Sequence, residues 1–348
     1  MPLTVLSIVS SVVLGLLPAT LTSFEGVQPQ LAATGDRVYL AFGFGDTISV
    51  ARSDDRGETF GAPGRLPLSG RLSLGMHRGP RVAVTNTTVL VAAVAGSKGG
   101  GADGDVVLFR SNDHGRSWTS GMVINDVGGS AREGLHALAA SPSGLVVVAW
   151  LDLRSGGTQI FAAVSRDHGA TWAPDALVYA SPSGSVCECC HPSIAIDREG
   201  GIAVMFRNNV DGNRDMYVVR SAEEGKFASA TKLSAVSWLL NACPMDGGGL
   251  AVTSSGIVAT WRRESDVFLS SGDVPERRLG PGRDPVIATM GAHQDIAWSS
   301  SPGIMLVRDS AQPLAVAPGR FPAILALKEK TILAWEDKGN VLVRTIAR

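Results

Sequence analysis

Short apolar runs, about four to eight residues long, recur along this chain between glycine-rich polar turns, the pattern of strands and hairpins rather than helices. Runs such as VVLFR and IFAAVS each lead into one motif, S-x-D-x-G-x-[T/S]-[W/F]. It occurs at Ser53–Phe60, Ser111–Trp118 and Ser165–Trp172, and in worn form at Ser221–Phe227. Aspartate in such a motif can accept N–H bonds within its own turn, glycine supplies a positive φ, and the aromatic plugs the loop from below. Asp55, Asp113 and Asp167 therefore read as turn residues rather than catalytic acids.

Between the boxes runs a second repeat: a proline or its equivalent, a short apolar strand, a turn, and a second strand often ending in an aromatic. Its copies open at Pro29, Pro80, His136, Pro192, Gly248, Pro285 and Pro322. Trp150, Phe206, Trp261, Trp298 and Trp335 close the second strand in later copies. Two hairpins per repeat make a four-stranded sheet, and radial repetition of such sheets makes a β-propeller. The fold class expected is all-β, a propeller of seven blades. The last copy, around NVLVRTIAR, lacks room for its outermost strand, so a strand near Phe24–Gln28 is expected to supply it and close the ring.

Composition adds little to that fold and narrows the function. Apolar residues make up 45% and charged residues 18%, with 41 glycines and 18 prolines, consistent with a core cut into short pieces. The net charge is −1 and there is no lysine or arginine run, so the electrostatic footprint of a nucleic-acid binder is missing. Residues 1–23 form one apolar stretch followed by small polar residues, read as a signal peptide or N-terminal hydrophobic segment even though no basic residue precedes Arg37. Residues 24–348 then form a single domain. No other segment is long and apolar enough for a membrane span, and an extracytoplasmic location, periplasmic or secreted, is expected.

The boxes resemble the Asp boxes, or bacterial neuraminidase (BNR) repeats, of sialidases and other secreted propellers. The resemblance runs through the mature chain and is clearest over residues 29–262. The segment CECCHPSIAIDREGG, with NACPMDGGG further on, is similar to a bacterial group labelled sialidase-like by its repeats. Sialidases have six blades, which makes six the alternative count. The resemblance implies three arginines that hold a substrate carboxylate, one of them in an R-I-P motif at the start of an inner strand. Here R-x-P occurs at that place three times, at Arg78, Arg283 and Arg320, and three guanidiniums at one mouth would make a bidentate anion site. An exo-α-sialidase-type hydrolase would also need a tyrosine nucleophile with a carboxylate partner and a separate acid. Asp103 or Asp105 is placed to be that acid and Glu264 a helper. Tyr39, Tyr179 and Tyr217 are the only tyrosines, and none occupies a convincing nucleophile position.

The cysteines form a second candidate site. Cys187, Cys189, Cys190 and Cys243 precede the inner strands of adjacent repeats, which brings them together near the axis. In an exported protein they read as disulfides, with a bridge from Cys243 to the 187–190 loop stapling neighbouring blades. With His191 and Met245 they also read as a soft ligand set for copper or zinc. The literal C-x-x-C-H of haem c attachment is present, but the interposed cysteine and the following proline fit a haem-bearing helix poorly.

Two functions follow from these residues. One is recognition, extending to hydrolysis, of an acidic glycan or another carboxylate ligand at an arginine-lined mouth. The other is a non-catalytic extracytoplasmic module whose cysteines bind metal or staple blades. Nothing in the sequence fixes an oligomeric state.

Overall fold

A computed structural model describes residues 21–348 apart from 100, 222–225, 273 and 310. They form seven antiparallel sheets in chain order, blades 1–7, with strands only. The innermost strands of successive blades touch in a closed cycle that ends with Arg320–Ala326 of blade 7 against Val27–Thr34 of blade 1. The sheets are therefore a seven-bladed propeller, and the six-bladed alternative does not hold. Blade 2 adds a two-residue strand, Arg71–Leu72, beside Val89–Gly96.

The ring closes as the missing outer strand of blade 7 requires. Leu21–Glu25 pairs antiparallel with Asn340–Ala347, Leu21 opposite Arg344 and Glu25 opposite Asn340. The closing strand begins earlier and ends earlier than the sequence suggests, because Gly26, at φ 153°, turns the chain into the inner strand of blade 1. A Cβ there would lie 2.5 Å from the Phe42 ring. Residues 21–23, read as part of the N-terminal segment, thus sit in this strand, while residues 1–20 lie outside the described residues.

Seven apolar cores each lie between two neighbouring blades rather than inside one. Second strands such as Val146–Asp152 are buried on both faces, which explains their unbroken apolar runs. Trp150, Trp261, Trp298, Trp335 and Phe206 are fully buried in these seams. Removing one such ring costs about 3–5 kcal/mol.

The three complete Asp boxes have one geometry. Ser53 Oγ donates to Asp55 Oδ1 at 2.6 Å and accepts from the Gly57 N–H at 2.8 Å, and the Thr59 N–H donates to Asp55 at 3.0 Å. The same bonds recur at Ser111, Asp113 and Ser117 and at Ser165, Asp167 and Thr171. Both Gly57 and the residue before it, Arg56, are left-handed, as are His114–Gly115 and His168–Gly169. Burial raises the Asp55 carboxyl, but the hydrogen bonds of Ser53 and Thr59 outweigh it and bring it down to about 2. Hydrogen bonds within each turn likewise hold Asp113 and Asp167 well below the usual carboxylate range, so all three are ionised turn residues at neutral pH. Each box also docks on the preceding blade: Thr345 donates to Gly57 O at 2.7 Å, Arg52 to His114 O at 3.1 Å, and Arg110 to His168 O at 3.0 Å. The worn fourth box runs through 222–225, outside the described residues.

Candidate functional site at the propeller mouth

Three blades enter their inner strand through the same irregularity. The segments Gly26–Pro29, Gly282–Pro285 and Gly319–Pro322 each carry a register shift against the second strand. The glycines, at φ 153°, 149° and 137°, lie against the aromatic of the neighbouring strand; a Cβ at Gly282 or Gly319 would come within 2.3 Å of Trp298 or Trp335. Gln28, Asp284 and Phe321, immediately before the prolines, are left-handed at φ 56°, 56° and 49°. Such backbone costs about 1–3 kcal/mol per residue and tends to be kept where it positions functional groups.

The bulges frame a pocket of about 670 Å³ at the mouth, lined by Arg262, Arg283 and Arg320, by Ser299, Ser300 and Ser301, and by Asp284, Phe321 and Glu336. Arg320 is 69% exposed with its guanidinium 5.2 Å over the Phe321 ring, and Arg283 is 45% exposed. Arg262 is held by the Glu264 carbonyl at 2.6 Å and the Pro244 carbonyl at 3.4 Å.

Of the arginines expected from R-x-P, two reach this pocket and Arg78 does not. Its Nε donates to the Glu133 carbonyl at 2.5 Å, and the Glu133 carboxylate lies 3.8 Å from Nη2. Glycine follows Arg78 instead of preceding it, so the bulge that presents Arg283 and Arg320 does not form. The blade 2 loop sends His77 to the axis instead. The candidate acids are equally occupied. Asp103 accepts from the N–H groups of Ser97, Lys98 and Gly99 at 2.9–3.2 Å, and the Ser97 hydroxyl leads the bonds that hold it below the usual carboxylate range. Asp105 accepts from Asn125 at 2.8 Å and the Gly129 N–H at 2.6 Å. Glu264 is an exposed turn residue at φ 56° whose carbonyl, rather than carboxylate, contacts the site through Arg262. The tyrosines lie in the blades, Tyr39 fully buried and Tyr179 bonded to Asn208 at 2.8 Å.

Behind the mouth an axial cavity of about 320 Å³ shares Gln28, Asp284 and Phe321 with it and adds His77, Arg81 and His191. His77 Nε2 lies 2.9 Å from Asp284 Oδ1, and its ring packs 4.5 Å from His191 and 5.0 Å from Phe321. Burial works to raise Asp284, but His77 and Arg283 outweigh it and keep it ionised. Asp246, fully buried, accepts the Asp284 N–H at 2.9 Å; burial and the neighbouring Asp284 push its carboxyl up. Burial likewise raises Glu336, against the pull of Gln28 and Arg320.

The cysteine loops meet beside this axis. Cys189 and Cys243 form a disulfide, joining the loop that enters blade 4 to the loop that enters blade 5. Cys187 and Cys190 are free, each 1% exposed, with sulfurs 3.1 Å apart. The Cys190 hydrogen bond leads the causes that bring Cys187 down to about 7, against burial, while burial pushes Cys190 up. As the structure stands, the full set of four thiols is not available to a metal, since two sulfurs are spent in the bridge. His191 faces the cavity with His77.

Arg262, Glu336 and Ser299 were missed by motif reading, yet they share a signal. Each directly follows the aromatic that closes a second strand, at Trp261, Trp335 and Trp298. Alternation along a strand makes the residue after a seam-facing aromatic point elsewhere, here toward the mouth.

A family model for a BNR repeat-like domain matches residues 26–187. No curated protein matches the sequence. Among solved structures, an α-L-arabinanase of Penicillium chrysogenum complexed with arabinobiose is similar at a TM-score of 0.59 and 15% identity, over 93% of each chain. The NanB sialidase of Streptococcus pneumoniae is similar at 0.55 and 11%, over 92% of this chain and 68% of that one. A leech intramolecular trans-sialidase is similar at 0.53 and 10%, with the same coverage. At such identities the likeness is one of fold. No helix among the described residues is long and apolar enough to cross a membrane.

Proposed function

Because the chain is a sialidase-like propeller built of BNR repeats, we propose that it recognises a carboxylate-bearing carbohydrate in its mouth pocket. The observation that carries this reading is the convergence of Arg262, Arg283 and Arg320, from blades 5, 6 and 7, on one cavity of about 670 Å³. The third guanidinium of the pocket is Arg262, which belongs to no R-x-P motif, rather than Arg78. Three guanidiniums face two carboxylates there, Arg320 Nε lying 3.5 Å from Glu336 and Arg283 Nε 3.2 Å from Asp284, so the pocket keeps a net positive face. Planar guanidiniums grip a carboxylate in bidentate fashion, the serine hydroxyls suit sugar hydroxyls, and Phe321 offers an apolar platform. The similar solved structures, an arabinanase in complex with arabinobiose and a sialidase, support carbohydrate as the ligand class.

Hydrolysis by a tyrosine nucleophile has no residue here to carry it, since no tyrosine lines the pocket. The Cys189–Cys243 bridge suits an oxidising, extracytoplasmic compartment.

Calorimetric titration with N-acetylneuraminate, galacturonate and neutral arabinobiose tests the reading. An acidic sugar is expected to bind, and Arg320→Ala and Arg283→Ala each to weaken it by about tenfold or more, the worth of a hydrogen bond to a charged group. Equal binding of neutral and acidic sugars, or affinity unchanged by both substitutions, would overturn it.

A further inference from the structure

Buried Cys187 and Cys190, with the partly buried Met245 packed against them, make up a sulfur cluster that the mouth pocket does not use. The two thiols lie 3.1 Å apart in the core, and Met245 packs against them with its thioether 3.4 Å from Cys243 Sγ. Backbone geometry fixes both sides. The Cys187 N–H donates to the Arg207 carbonyl at 3.0 Å, and Met245 sits in a left-handed conformation at φ 57°. Neighbouring Cys189, 3.7 Å from Cys187 and 3.9 Å from Cys190, is committed to the bridge with Cys243. That bridge ties Met245's loop, in blade 5, to the C-x-x-C loop of blade 4.

Beside the thiols lies Arg207, 1% exposed and held by the carbonyls of Asp246, Arg214 and Arg262 at 3.0, 2.7 and 2.9 Å. Its three hydrogen-bond partners are neutral carbonyls, and the buried positive charge acts on both sulfurs as well as on the Asp246 carboxyl. A fully buried charge of that kind is costly unless a counter-charge accompanies it.

We propose that Cys187 and Cys190, with Met245 as a third, weaker ligand, bind one copper(I) ion while the Cys189–Cys243 disulfide stays intact. Two thiols and a thioether, with no oxygen or nitrogen donor, form a soft set that selects a monovalent d¹⁰ ion. Zinc would require four donors, and the bridge removes two of the sulfurs that could complete its tetrahedron. Binding exchanges both thiol protons for Cu⁺: two RSH plus Cu⁺ give [Cu(SR)₂]⁻ plus two H⁺, with no change of oxidation state. The resulting single negative charge is favoured by the buried Arg207 guanidinium beside it.

The test uses the full chain with its disulfide intact, titrated anaerobically with copper(I) against a chromogenic chelator, together with native mass spectrometry. One copper per chain is expected, with a thiolate-to-copper ultraviolet band and a mass showing two protons lost. Cys187→Ser and Cys190→Ser should each abolish binding, and Met245→Leu should weaken it by about tenfold. The Cys189→Ser/Cys243→Ser pair should retain stoichiometry, provided circular dichroism shows it folded. Arg320→Ala should leave copper binding unchanged, which separates this site from the carbohydrate pocket. Absence of free thiols in the native protein would mean a second disulfide and overturn the proposal. So would stoichiometric binding that survives both single cysteine substitutions.

Discussion

Glu336, in the last blade, accepts hydrogen bonds from the backbone N–H of Gln28 at 2.6 Å and from its side-chain amide at 2.9 Å, across a sequence separation of 308 residues. This contact locks the inner strand of blade 1 to the second strand of blade 7 at the mouth, while Leu21–Glu25 locks the same two blades at the rim. Glu336→Ala leaves two buried donors of Gln28 unsatisfied and should lower stability by about 1–3 kcal/mol. Glu336→Gln, which keeps an acceptor, should recover most of it. Urea unfolding of the two variants distinguishes them, and an equal loss in both would contradict this role.

The rim contact predicts where an exported chain is trimmed. Cleavage after residue 23 would strip three of the five paired residues from the closing strand and expose the edge of Asn340–Ala347. The mature N-terminus should therefore fall at or before Leu21. Intact-mass analysis of protein recovered from its native compartment gives the answer, and a terminus beyond Ser23 would show that the ring closes otherwise.

The disulfide bridges residues separated by 54 positions and joins two blades that also meet through apolar packing and the hydrogen bonds of Arg207. Loop-closure entropy puts its contribution at about 4 kcal/mol at most. Cys243→Ser should lower the melting temperature in oxidising buffer, and a reductant should lower that of the native protein to a similar value. A native melting temperature indifferent to reductant would remove the bridge from the stability argument.

His136 opens the inner strand of blade 3, fully buried, with Nε2 3.2 Å from the Ala92 carbonyl. Burial, with the nearby Arg81 charge, brings it down to about 3. A depressed histidine contributes stability that is complete above its unfolded pKa of about 6.5 and is lost progressively as pH falls toward about 3. Between pH 7.5 and 5 the loss should reach about 2 kcal/mol, and a His136→Gln variant that folds should lack that slope. Denaturant midpoints at the two pH values measure it directly.

The Asp boxes, the seven-fold repeat and the need for a borrowed strand were all legible in the chain. Each depends on residues within about eight positions or on a period, and turn chemistry of that kind is local. A bridge between Cys243 and the 187–190 loop was legible for a related reason, since both loops hold equivalent places in adjacent repeats. Other features depended on three-dimensional neighbours. Arg78 shares its spacing with Arg283 and Arg320 but lacks the preceding glycine that packs on a tryptophan, so the same three letters follow a different path. Asp103 and Asp105 looked free in a glycine-rich loop, and backbone N–H groups that no motif encodes have claimed them. The sequence by itself determined the blade, because hairpin, box and seam aromatic are written into each repeat. Only the tertiary structure decided the site, because the mouth exists where bulges from blades 6, 7 and 1 meet Arg262 of blade 5 and bring charges distant in sequence into one pocket.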